Sequence, residues 1–307
     1  MHHRTIGDRI FDWFNIIFFI LFGLITLYPF WSTLMVSFLN ETGYYGQHNM
    51  FQMMNIYPMA PTFRAWQFIF STRWVVSGFF NSVLYTVAGS AWMMFLICTA
   101  AYGMSKKDLK GKRVINFYFL VTMWFGGGIV PYYLLISRVL GWENTRIVMI
   151  VPATLGVWGY LVLKNFISNI SASLIESARI DGAKEYTILG RIILPLSLPC
   201  ISTLTMFQMI ARWNDWFTGR IFLTSAEYLY PLPTVLYRYI IEGTGRGNSA
   251  AMAELEKARQ MQSQGYMIFE PARDAALVMC VVLPIVFVYP FIQKYFEKGV
   301  LIGSLKE

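Results

Sequence analysis

The sequence predicts an all-α, polytopic membrane protein of about six transmembrane helices, and three observations carry that reading. Of 307 residues, 56% are hydrophobic and 14% are charged, and the mean hydropathy is +0.48. One soluble domain has no interior large enough for that much apolar surface. The apolar residues also gather into runs of about 20, the length a helix needs to cross the hydrocarbon core. Finally, Lys and Arg concentrate in alternate connections between those runs, as the positive-inside bias requires.

The first run covers 13–39 and follows Arg4 and Arg9. It is too long, and too poor in a small-residue cleavage site, for a cleaved signal peptide. A segment over 40–74 leads to the second run, 75–102. Lys106, Lys107, Asp108, Lys110, Lys112 and Arg113 then make the densest charge cluster. Lying between two apolar runs, this cluster assigns much of the net charge of +8 to a membrane face and not to nucleic acid. The third run, 114–136, and the fourth, 147–166, flank a short connection over 137–146. A polar stretch, 168–191, carries Arg179, Lys184 and Arg191 before the fifth run at 195–217. After a long segment over 218–271, the sixth run, 272–296, ends near Lys298 and Lys306. An even number of spans places both termini on one side, and the basic connections make that side cytoplasmic. The chain reads as one transmembrane domain over 1–307, with 40–74, 137–146 and 218–271 external.

The span interiors carry almost no Asp, Glu, Lys or Arg, which argues against a proton relay. No matched pair of interrupted helices marks an inverted repeat. A phosphate-binding G-x-x-x-x-G-K-[ST] is lacking; Gly111-Lys112-Arg113 has neither the leading glycine nor the hydroxyl. Cys98, Cys200 and Cys280 each lie in an apolar stretch and read as packing residues. His2, His3 and His48 have no ligand spacing. No catalytic constellation supports a membrane-embedded enzyme.

The stretch from Glu176 to Pro195 is too polar to span and too periodic for coil. It predicts helix, turn, helix. Ser173 and Glu176 match an S-x-x-E capping box, Leu174, Ile175 and Ala178 share one face, and Asp181-Gly182 offers a left-handed stop. A second short helix follows, with Tyr186, Leu189 and Ile193 as its apolar side. Pro195 and Pro199 suit the opening of the fifth span. The outcome is a helical knob on the cytoplasmic face.

Glu176, Ala178, Gly182, Ile192, Leu194 and Pro195 fall in register with E-A-A-x3-G-x9-I-x-L-P, Ser177 replacing the second residue. This segment resembles the EAA loop of the permeases of binding-protein-dependent ABC importers. The narrower resemblance is to the multiple-sugar and aldouronate type of the maltose-permease family. It rests on 81–103, on Gly127-Gly128-Ile129-Val130-Pro131-Tyr132, on Trp213-Asn214-Asp215-Trp216-Phe217, and on the ending around 289–303. The resemblance implies a type I ABC importer permease fold with its core over 75–296 and a coupling loop over 173–195. Glu176, Ser177, Ala178, Asp181, Gly182 and Ala183 would dock on an ATPase. It implies passage of an oligosaccharide or related glycoside by alternating access. The implied partners, besides membrane lipid, are a second homologous permease, an ATPase dimer holding ATP and Mg, and an extracellular solute-binding protein. This chain itself would hold no cofactor or metal. A non-transporting structural or receptor-like subunit fits the topology too, but gives no reason for the knob.

Polar residues at membrane depth need a partner or a wet cavity. Asn81, Gln208, Arg212 and Asn214 are therefore candidates for the substrate path, with helix-to-helix hydrogen bonding as the alternative. Trp216 reads as part of an interfacial aromatic belt. The 250–262 stretch, rich in helix formers, predicts an external helix, either a solvated cap or a docking surface for the binding protein.

Overall fold

The computed structural model describes residues 6–40, 43, 54–58, 61–106, 108–152, 156–242 and 269–304, and among them every regular element is a helix. The α-helices run α1 Ile6–Val36, α2 Arg64–Ser71, α3 Arg73–Ser105, α4 Lys112–Trp124, α5 Ile129–Leu134, α6 Ile147–Ile150 and α7 Val157–Ser168. They continue as α8 Ala172–Ile180, α9 Glu185–Ile188, α10 Leu194–Leu196, α11 Leu198–Trp213, α12 Phe217–Phe222, α13 Leu232–Tyr237 and α14 Glu270–Ser304.

Among the described residues, three helices are long and apolar enough to cross a membrane: Gly7–Val36, Arg73–Ser105 and Glu270–Val288. If each of two bent pairs counts as one span, the number is five. The third expected span turns by 110° between α4 and the helix starting at Ile129. Gly128 permits this turn: its φ of +81° lies in the left-handed region that glycine enters at no steric cost. The fifth bends by 81° at Ser197, where Leu198 and Pro199 start a new helix. Proline fits there because a first-turn amide has no intrahelical acceptor. The fourth expected span is divided into α6 and α7 with Pro152 between them, so neither piece alone has spanning length.

Packing groups the chain into two compact units: 1–73 with 239–282, and 74–238 with 283–307. In the first unit, α1 keeps its apolar window exposed along its whole length, as a lipid-facing or partner-facing helix would. Its end is tied to α2, for the Trp66 indole donates to Ser37 Oγ at 3.0 Å and stacks on Phe38.

The second unit is built around α3. Ile97, Cys98, Ala101 and Tyr102 of α3 pack with Tyr160, Leu163 and Ile167 of α7 and with Ile188, Ile193 and Leu204. At the other end of α3, the amide of Asn81 donates to the carbonyls of Tyr228 and Tyr230 at 2.9 and 3.2 Å. The Tyr85 hydroxyl donates to the Leu229 carbonyl at 2.9 Å, and Ser82 Oγ accepts the Leu232 amide at 2.8 Å. The start of the expected external segment is thus no solvated loop: Phe222, Leu223, Leu229, Leu232 and Val235 are buried. Between Asn81 and Tyr102, α3 rises about 30 Å at ~1.5 Å per residue, the thickness of a hydrocarbon core.

Candidate functional site

The knob starts at Ala172, two residues after Ile170, with Ser171 as its N-cap. No side chain caps that end; Ser171 and Ser173 hydroxyls pair with each other at 2.7 Å. The expected capping box is therefore not formed, because Ser173 lies inside the helix and not at its boundary. The C-terminal end closes as read from the sequence. Gly182 takes φ +77°, its amide donates to the Arg179 carbonyl at 3.0 Å, and the Ala183 amide donates to the Ala178 carbonyl at 2.9 Å. Both bonds together make a Schellman motif that satisfies two orphan carbonyls and reverses the chain within two residues.

This turn sorts the knob into two faces. Ile175, Ala178, Ala183, Leu189 and Leu194 pack inward on the core formed with α3 and α7. Small side chains at 178 and 183 let α8 approach that core closely. Outward lie Glu176, Ser177, Asp181 and Gly182, with Leu174 50%, Tyr186 71% and Ile180 86% exposed. Two expectations change here. Leu174 does not share the buried face of Ile175, and Tyr186 points away from the apolar side that Ile188 and Ile193 supply.

Glu185 opens α9 and holds the knob's charge together. Its Oε2 accepts from Lys106 Nζ at 2.8 Å and from the Tyr102 hydroxyl, while Oε1 accepts from Arg179 Nη2 at 3.1 Å. Hydrogen bonds from Lys106 and Tyr102 hold its carboxyl well below the usual carboxylate range, at about 2.

The same α3 borders a cavity of about 270 Å³ lined by Met93, Tyr132, Met149, Gln208, Arg212 and Asp215, among others. Arg212 Nη1 donates to the Met149 carbonyl at 2.9 Å, and its buried Nε has no hydrogen-bond partner. Room for this guanidinium comes from Gly89, where a Cβ would stand 2.5 Å from Arg212 Nη1 and 2.7 Å from its Cζ. Gly156 makes similar room: a Cβ there would meet Met93 Cε at 2.5 Å and Gln208 Nε2 at 3.6 Å. Asp215 Oδ1 accepts the Thr218 amide at 3.0 Å at the start of α12.

The chain as a whole matches known proteins over nearly its full length. The polygalacturonan/rhamnogalacturonan transport system permease protein YtcP of Bacillus subtilis is 32% identical over 299 residues, covering 97% of this chain and 99% of its own. Protein LplC of the same organism is 33% identical over 304 residues, 99% of this chain and 97% of its own. The chain belongs to the permease subunits of bacterial sugar ABC importers. Among solved structures, a chain of a bacterial ABC transporter involved in import of the acidic polysaccharide alginate has a TM-score of 0.83 at 27% identity. That match covers 96% of this permease and 100% of that chain. No family model matches the permease.

Of the residues singled out in the sequence, the fold brings Gln208 and Arg212 to one cavity. Asn81 lies apart from it, and its amide hydrogens go to two carbonyls, the geometry of a loop tie. Asn214 also lies outside the lining; its Nδ2 donates to the Ile210 carbonyl at 2.8 Å. Trp216 stacks on Tyr237 with centroids 4.3 Å apart, so it packs within the protein as well as facing outward. The 250–262 segment lies outside the described residues. Tyr132 and Asp215, which the sequence offers only as members of two motifs, also line this cavity, whereas the Glu185 cluster has no counterpart in the sequence reading. For Glu185 the only local signal was a carboxylate six residues after Arg179. Tyr102 stands 83 residues away, beyond any local pattern.

Proposed function

We propose that this permease moves an oligosaccharide or related glycoside into the cell by alternating access, driven by a separate ATPase docked on the 172–196 knob. One observation carries the docking reading. Ile180 and Tyr186 stand 86% and 71% exposed on either side of a rigid Schellman turn, beside the acidic Glu176 and Asp181. Exposed apolar side chains rimmed by charge are the makings of a protein contact. The basic connections put that face in the cytoplasm. Both termini are then cytoplasmic, and the 218–242 segment held by Asn81 is external. A second, homologous permease would complete the path, and the ATPase pair would supply ATP and Mg. A solute-binding protein would deliver the sugar outside; an alginate transporter solved with a pentasaccharide-bound periplasmic protein shares the fold at a TM-score of 0.51. This chain would bind no cofactor of its own.

The substrate path runs past Gln208 and Arg212 in this reading. A guanidinium held in a cavity at membrane depth needs a functional reason, and a carboxylate-bearing sugar supplies one by charge-assisted hydrogen bonding. YtcP, named for polygalacturonan, and the alginate importer point the same way. The test is purification and uptake together. The tagged chain should bring down a P-loop ATPase and a second permease. Vesicles holding that complex should take up labelled oligogalacturonide when ATP and the binding protein are supplied. ATP-independent uptake, or uptake unchanged without this chain, would overturn the proposal.

A further inference from the structure

We propose that Glu185 is a positioning residue that fastens the knob to α3, so that motion of the knob reaches the cavity wall. The inference rests on the docking reading above. Three donors converge on this one carboxylate from two elements: Arg179 from α8, and Tyr102 with Lys106 from the end of α3. Lys106 is further held over the Tyr102 ring, 4.9 Å from its centroid. With both carboxylate oxygens engaged, α8 cannot swing about its apolar contacts without breaking a charged hydrogen bond. From Tyr102, α3 continues unbroken for about 20 Å, at ~1.5 Å per residue, to Met93 and Gly89. Met93 lines the cavity, and Gly89 lies directly beneath the Arg212 guanidinium. A push on the knob is thereby applied to the helix that shapes the Arg212 site.

The Glu185 side chain is 49% exposed, and its partners Lys106 and Arg179 are 31% and 43% exposed. Half-exposed ion pairs contribute little to folding stability. Loss of Glu185 should therefore spare assembly and strike transmission.

The experiment uses the full complex in membrane vesicles, with the native cysteines replaced and a reporter, Ala211→Cys, at the cavity. Maleimide labelling of the reporter is timed with and without ATP and vanadate. The parent complex should change its labelling rate at least fivefold on trapping. Glu185→Ala and Lys106→Ala should each cut that change below twofold with equal amounts of copurified ATPase, and Lys106→Arg should retain it. A full nucleotide-dependent change in either alanine variant overturns the inference. Failure of the parent complex to respond, or to bring down the ATPase, overturns the docking reading and this inference with it.

Discussion

Gly182 allows the knob's backbone and its outer contact to be separated experimentally. Its φ of +77° disfavours any residue with a Cβ, yet a Cβ built there meets nothing within 4 Å. Inside this chain, Gly182→Ala therefore costs only the left-handed conformation, about 1–2 kcal/mol. That is on the order of a tenfold loss in the population of the correct turn, since about 1.4 kcal/mol is a factor of ten. Asparagine visits the left-handed region far more readily, so Gly182→Asn isolates added bulk from backbone strain. If the turn sits in an ATPase cleft, Gly182→Asn should lower copurified ATPase and uptake at least as much as Gly182→Ala. Both variants should reach the membrane at parental levels, because the site is exposed and outside the spans. Asparagine restoring parental docking while alanine fails would show that only the backbone matters, and would refute contact at Gly182.

Three further outcomes follow from the same geometry. Gly89→Ala puts a methyl 2.5 Å from Arg212 Nη1 and must displace that guanidinium; uptake should fall several-fold while basal ATP hydrolysis stays intact, measured on the purified complex. Asn81→Leu removes the amide that ties the carbonyls of Tyr228 and Tyr230 to α3, a change of about 1–3 kcal/mol; thermal unfolding should occur at lower temperature, with the KM for sugar unchanged in the complex that survives. Because the Glu185 carboxyl is held down to about 2, the stability it contributes is complete above its unfolded value and is lost only as pH falls through that lowered one. Nucleotide-dependent labelling at the cavity should accordingly show no titration from this group between about pH 5.5 and 8.

Much of this architecture was legible because lipid imposes a length and a composition on each span. The knob was legible because its turn chemistry is local: Asp181-Gly182 ends a helix by backbone preference alone. Bends were not. Hydropathy along 114–136 is blind to the 110° turn that Gly128 allows, and along 195–217 it is blind to the break at Ser197. Polar residues at membrane depth were detected but not sorted, since a buried amide announces only that it needs a partner. Asn81 finds backbone carbonyls about 150 residues away, whereas Gln208 and Arg212 find a cavity. The S-x-x-E pattern misled because a second serine, Ser171, sits at the true boundary. The pairing of Arg179 with Glu185 depends on the reversal at Gly182, and no local pattern in the sequence reports that pairing.

The most direct test of the central claim, that the knob is where an ATPase drives this permease, is a photo-crosslinker at position 180. Ile180 is 86% exposed, so replacing it leaves the chain's own packing untouched. Irradiation of intact membranes should join the chain to a protein carrying a P-loop, with a yield that changes between nucleotide-free and ATP–vanadate conditions. Crosslinks to lipid alone, or to partners without a nucleotide-binding motif, would contradict the account.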